Sequence, residues 1–171
     1  MTRKSKPEIV SLDINEVIRE VIVLMGAEFR RHGVRVETSL STGLAAVTGD
    51  RVQLQQVVLN LIVNGIEAMS ESGHGQRWLG IRSESDPSGG VLVAVKDSGR
   101  GLDTARTDQL FEAFFSTKPE GMGMGLSICR SIIEAHGGKL WASHNLPSGA
   151  IFQFTLPAKA DDRSNARKDA L

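Results

Sequence analysis

Residues Ser116–Gly138 read STKPEGMGMGLSICRSIIEAHGG. Glycines alternate at Gly121, Gly123 and Gly125 and run directly into an apolar-periodic stretch, which predicts a glycine-rich loop followed by a helix that closes at Gly137-Gly138. Such a loop presents unpaired amide donors and the positive end of a helix to whatever lies before it, and an anion suits that place. The spacing is not that of a P-loop, because the Gly138-Lys139 pair is followed by Leu140 and precedes a strand. Nor is it a dinucleotide fingerprint: the glycines run G-x-G-x-G, and FFSTKPE before them reads as loop. Lys118, with Ser116 and Thr117, supplies a point charge and hydroxyls to a terminal phosphate as the loop closes. A flexible surface loop ahead of a helix would carry the same residues.

Working outward, the pattern after Lys139 predicts a hairpin, KLWASHN and AIFQFTLP joined across LPSG. Before the loop, TARTDQLFEAF reads as a short polar helix. RWLGIRSES and GGVLVAVKD alternate as two antiparallel strands around Asp86-Pro87-Ser88-Gly89-Gly90. A helix capped by Asp50, with Gln53 three residues on, runs to about Met69. Ahead of it VRVETSL is a half-buried strand, and STG and TGD read as turns. The first helix is capped at Asp13, with Glu16 as its partner, and its apolar series Val17, Ile18, Val21, Leu24, Met25 carries it to about His32-Gly33. The expected fold is α+β, a two-layer α/β sandwich in which helices cover one face of a mostly antiparallel mixed sheet. Residues 13–157 are expected to form one domain, 1–12 a flank and 158–171 a disordered polar tail.

Two further constellations carry chemistry. In the Asp50-capped helix Gln53, Gln56, Asn60, Asn64, Glu67 and Glu71 recur every three or four residues, one polar stripe on an apolar cylinder. Asparagine costs a helix roughly half a kcal/mol relative to alanine. Two of them in one stripe fit carbonyl oxygens facing a hard cation such as Mg²⁺, whose other ligands are waters and phosphates. An ordinary amphipathic helix is the competing reading. In VAVKDSGRGLD a strand ends on Asp97, and Gly99 and Gly101 let the backbone approach a flat ligand. The carboxylate can accept from an exocyclic amine such as adenine's. A strand-end turn, with Asp97 bonded to nearby amides, would look the same.

The totals exclude several classes. With 20 basic and 20 acidic residues among 171, no net field favours nucleic acid or an anionic membrane. The single cysteine, Cys129, has no partner, suits a reducing compartment and is expected to pack in the core. MTRKSKPEIV lacks an apolar core and VIREVIVLMG is broken by Arg19 and Glu20, so neither a signal peptide nor a membrane span is expected and the location reads as cytoplasmic.

In this order the pieces closely resemble the ATP-binding catalytic domain of sensor histidine kinases, a branch of the superfamily that also holds DNA gyrase and the mismatch-repair ATPases. LQQVVLNLIVNGIEAM is similar to its N box, DSGRGL to its first glycine box, LFEAFFSTK to its F box and GMGMGLSICRSIIEAHGG to its second glycine box. NGIEAM and STKPEGMGMGLSI are most similar to the oxygen-sensing and nitrogen-regulation type. The resemblance implies ATP and Mg²⁺ as cofactors, with Asn64 as the metal ligand and Asn60 near the phosphates. It places Asp97 on the adenine amino group, and Gly99 and Gly101 beneath the base. Phe111, Phe114 and Phe115 would anchor a lid; Lys118 and the Gly121, Gly123 and Gly125 run would approach the β and γ phosphates, with Leu126 closing the pocket. The implied catalytic residues are Asn60 and Lys118. The implied chemistry is phosphoryl transfer to a histidine of a dimerisation and phosphoacceptor domain outside this chain, for relay to a response regulator.

The chain departs from the pattern at three points. Glu67 stands where many members carry Lys or Arg, and Ala150 where Thr is usual. His32, His74 and His136 each precede Gly and His144 precedes Asn145, so none fits the phosphoacceptor pattern; these four are expected as surface or capping residues. The alternatives are a free-standing anti-sigma-type serine kinase of the same superfamily and a non-catalytic nucleotide-sensing module. A gyrase-like ATPase would need Glu where this helix has Asn60.

Overall fold

In the computed structural model, residues 8–71, 75–102, 111, 125–145 and 148–160 are described. The elements are β1 (Ile9–Leu12), α1 (Ile14–Leu24), α2 (Gly26–Arg31), β2 (Val34–Leu40), β3 (Val47–Asp50), α3 (Arg51–Glu71), β4 (Arg77–Ser85), β5 (Val91–Asp97), α4 (Gly125–Ala135), β6 (Leu140–His144) and β7 (Ala150–Leu156). A five-stranded sheet runs β2-β4-β5-β7-β6. Only the β2–β4 pair is parallel in it. Alternation explains its two faces: Leu79 and Ile81 on β4, Val91, Val93 and Val95 on β5, and Phe152, Phe154 and Leu156 on β7 all point into one core. That face receives the helices, so the expected two-layer sandwich is the observed one.

α3 supplies the other half of the core through Leu54, Val57, Val58, Leu61, Ile62, Ile66 and Met69, a stripe at helical spacing. The Asp50 carboxylate caps it by accepting from the Gln53 amide at 3.1 Å. α1 adds Ile14, Val17, Ile18 and Val21. Its buried Asn15 is satisfied: Nδ2 donates to the Ser41 carbonyl at 2.8 Å and Oδ1 accepts from the Ser83 hydroxyl at 2.6 Å, tying α1 to β4 and to the residue after β2. α4 closes at Gly137, whose φ of 82° provides the left-handed residue the sequence called for.

The structure departs from the sequence reading in two places. The single first helix is two, broken at Met25, while its Asp13 cap stands and its carboxylate accepts from the Asn15 amide at 2.9 Å. Residues 48–50, read as a turn, belong to the strand Val47–Asp50, which pairs antiparallel with Ile9–Leu12, four residues assigned to the flank. In the assigned tail, the Lys159 amide donates to the Ala46 carbonyl at 2.7 Å. The short helix read at TARTDQLFEAF lies outside the described residues except for Phe111, as do residues 161–171. No helix among the described residues is long and apolar enough to cross a membrane.

Candidate functional site

The end of β5 and the middle of α3 meet at a bare position. A Cβ on Gly65 would stand 2.9 Å from Leu79 Cδ1, 3.4 Å from Asp97 Cβ and 3.8 Å from Asp97 Oδ2. Asp97 is 1% exposed, and its Oδ1 accepts from the Gly99 amide at 2.9 Å and the Ala150 amide at 3.3 Å. Among the described residues both backbone donors go to Oδ1, which leaves Oδ2 on the Gly65 side. Burial raises the Asp97 carboxyl above the ordinary value, and the two amides with the nearby Arg100 charge offset this in part.

The glycines after Asp97 serve the fold first. The sequence reading gave them to a flat ligand, but a Cβ on Gly99 would stand 2.7 Å from the carbonyl carbon of Ala68, so α3 occupies that room. Gly101 has a φ of 81° and faces the Gly149 carbonyl. Ser98 anchors the same loop: its hydroxyl accepts from the Trp78 amide at 2.9 Å and lies 3.0 Å from the Gln76 carbonyl.

On α3 the polar stripe divides by burial. Gln56 and Glu67 are exposed, whereas Gln53, Asn60 and Asn64 are half-buried. Asn60 faces α4, where the fully buried Cys129 lies with its thiol 3.8 Å from the Val57 carbonyl. Burial pushes that thiol up to about 11, and a hydrogen bond with the Asn60 side chain works against the shift. Cys129 is therefore the core residue the sequence indicated, with a contact to Asn60 that no sequence pattern shows. α4 begins at Gly125, with nothing among the described residues within 4 Å of where its Cβ would stand. Leu126 beside it is half-buried against the core. Phe111 packs edge-on against Phe152, centroids 6.4 Å apart, and takes the Arg130 guanidinium over its ring at 5.2 Å.

Of the residues singled out in the sequence, Asp97 and Gly99 pack against α3 at Gly65 and Ala68, Asn60 meets Cys129 of α4, Asn64 is half-buried on α3 one turn from Asn60, and Gly125 and Leu126 begin α4. Ser116, Thr117, Lys118, Gly121 and Gly123 lie outside the described residues. A groove lined by Arg130, Glu134, Gly138, Lys139, Leu140 and Trp141 sits at the far end of α4 and contains none of them. The histidines behave unequally. His32 caps α2 and His144 is exposed at the end of β6, but His136 is half-buried, and its Nε2 accepts from the Asp50 amide at 3.0 Å. His74 is outside the described residues.

Residues 49–160 match the family described as histidine kinase-, DNA gyrase B- and HSP90-like ATPase. The chain is 43% identical over 155 residues to the sensor protein TdiS of Thauera aromatica, covering 90% of this chain and 28% of that protein. It is 44% identical over 145 residues to the sensor protein FixL of Bradyrhizobium diazoefficiens, covering 85% and 28%. The chain thus spans less than a third of the length of either relative. The nucleotide-free catalytic domain of the histidine kinase ThkA superposes with a TM-score of 0.77 at 37% identity, covering 88% of this chain and 96% of that one. ThkA in complex with the response regulator TrrA superposes at 0.73 with 33% identity, over 88% of this chain and 42% of that one. The chain belongs to the histidine kinase-, DNA gyrase B- and HSP90-like ATPase family, and within it to the catalytic domains of sensor histidine kinases.

Proposed function

We propose that this domain binds Mg-ATP and transfers the γ-phosphoryl group to a histidine on a dimerisation and phosphoacceptor domain outside this chain, for relay to a response regulator. The observation that carries the reading is that α3 touches both Asp97 at the end of β5 and Cys129 on α4. Gly65 stands against Asp97, and Asn60 against Cys129 of α4. Asp97 accepts from the adenine amino group. Phe111 is wedged between Phe152 and Arg130.

The residues present fit a magnesium ion. Asn64 is half-buried on the same face as Asn60, one turn away, and offers a neutral oxygen to a hard cation that keeps several waters and shares phosphate oxygens. When bound, the ion would neutralise phosphate charge. The chain's own contribution is placement: Asp97 orients the base, Asn60 lies beside the phosphates, Lys118 and the Gly121, Gly123 and Gly125 run approach the β and γ phosphates, and Leu126 helps close the pocket. The relatives named as sensor proteins and the ThkA–TrrA complex support the relay partner. Mixing the domain with labelled ATP and a matching helical-hairpin domain should label the hairpin histidine. Tight ATP binding without any such labelling would count against the reading.

A further inference from the structure

Neither the sequence pattern nor the family resemblance gives the β6–β7 connection a task beyond joining two strands. In the fold it reaches back across the end of β5. The β5–β7 ladder stops at the Lys96–Ile151 pair, so the carbonyls that follow on the glycine loop lose their strand partner. Two side chains of the connection take them over. Asn145 Nδ2 donates to the Asp97 carbonyl at 3.0 Å, and the Ser148 hydroxyl donates to the Gly99 carbonyl at 2.7 Å. The connection is itself closed by the Asn145 amide donating to the Gly149 carbonyl at 3.0 Å. A Cβ on Gly149 would stand 1.8 Å from the Asp97 carbonyl oxygen, so the two backbones are in direct contact. On the opposite side Gly99 rests on Ala68 and Met69 of α3. The loop after Asp97 is held between a wall fixed by the core and one fixed by Asn145 and Ser148.

We propose that Asn145 and Ser148 are positioning residues for base selection: they hold the Asp97–Gly101 loop so that Asp97 Oδ2 keeps one direction toward the nucleobase. The inference rests on the ATP-binding reading above. With Oδ1 occupied by two backbone amides, Oδ2 is the oxygen left to select the base, attracting the 6-amino group of adenine and opposing the 6-oxo group of guanine. That selection depends on direction, because hydrogen bonds weaken steeply when bent. Side chains that merely formed a turn would bond the turn's own backbone; these two bond carbonyls roughly fifty residues away in sequence.

The test measures ATP and GTP affinity by calorimetry on the whole chain, for Asn145→Ala, Ser148→Ala, their combination and Ser148→Thr, with Asp97→Ala as the reference for lost base selection. Circular dichroism establishes that each variant is folded at the temperature used. The combined variant is expected to lose about tenfold in ATP affinity and little in GTP affinity, so its ATP-over-GTP ratio moves toward that of Asp97→Ala. Ser148→Thr, which keeps the hydroxyl, should retain the wild-type ratio. If the combined variant does not fold, the ratio is read on the two single variants. An unchanged ratio in the folded variants, including an equal loss for both nucleotides, overturns the proposal while leaving ATP binding intact. A wild-type chain that binds no ATP overturns the underlying reading, and this inference with it.

Discussion

Gly65 and Asp97 share one contact between α3 and the end of β5, and the absence of a side chain at Gly65 is what lets the helix lie against the carboxylate. An alanine there would meet the flexible Cδ1 of Leu79 at 2.9 Å and Asp97 Cβ at 3.4 Å. Leu79 can rotate away, and replacing a mid-helix glycine by alanine gains about 1 kcal/mol. The two effects oppose, so Gly65→Ala is expected to change stability by less than about 1 kcal/mol. Gly65→Val has no such outlet on the Asp97 side and should cost about 1–3 kcal/mol and weaken ATP binding. Urea unfolding with nucleotide titration checks both; equal behaviour of the two variants contradicts the contact.

On the proposed assignment of Asp97 to the base, stability and recognition oppose each other. Burial holds its carboxyl above the ordinary 3.8, outweighing the Gly99 and Ala150 amides and Arg100. A carboxyl whose pKa is higher folded than unfolded contributes stability that is full below pH 3.8 and is lost as pH rises through the folded value. At neutral pH the ionised group therefore weakens the fold. Asp97→Asn keeps an oxygen for the two amides and is expected to be more stable than the wild type at pH 7. The difference should shrink as pH falls to about 4. ATP affinity should drop by about 1–3 kcal/mol. Unfolding midpoints across that range give the answer, and a stability gain that persists in acid is incompatible with this account.

The parts of this fold that were legible are those where side-chain period and backbone state agree. The apolar spacing of α3 with its Asp50 cap, the alternation of β4, β5 and β7, and the glycine stop of α4 each left a pattern. The break at Met25 left none, because Val21, Met25 and Phe29 continue at intervals of four across it and all three are buried. The β1–β3 pair was hidden for the opposite reason: its four-residue strands hold by backbone pairing, Ile9–Ser11 are exposed, and Thr48-Gly49-Asp50 has turn composition. In the site, Asn60, Asn64 and Asp97 stood out as residue types unusual for their elements. Asn145 and Ser148 did not, since a turn carries Asn and Ser in any case.

On the proposed assignment, Asn64 separates metal binding from nucleotide binding. Asn64→Ala is expected to leave magnesium-free ATP affinity within about threefold of wild type, because no base or sugar contact is assigned to it. The gain in affinity on adding Mg²⁺ should disappear, and transfer to the hairpin domain should fall by about tenfold or more. Calorimetry with and without the ion, alongside the transfer assay, reads both quantities. Parallel losses under the two conditions would mean that Asn64 acts on the nucleotide and not through the ion.

His136 joins the end of α4 to the cap of α3. Its Nδ1 lies 2.7 Å from the Ile132 carbonyl and its Nε2 accepts from the Asp50 amide at 3.0 Å, so the neutral ring donates through Nδ1. Asp50 in turn caps α3 through the Gln53 amide and accepts from the Glu8 amide at 3.2 Å. The ring also fills the space above Gly49, where a Cβ would meet its Cδ2 at 2.6 Å. His136→Ala strands the Asp50 amide without its acceptor and empties that space, which should cost about 2–3 kcal/mol in urea unfolding. His136→Gln, whose side-chain carbonyl can still accept, should recover part of the loss. If alanine is tolerated without cost, the α4–α3 link is not a stabilising one.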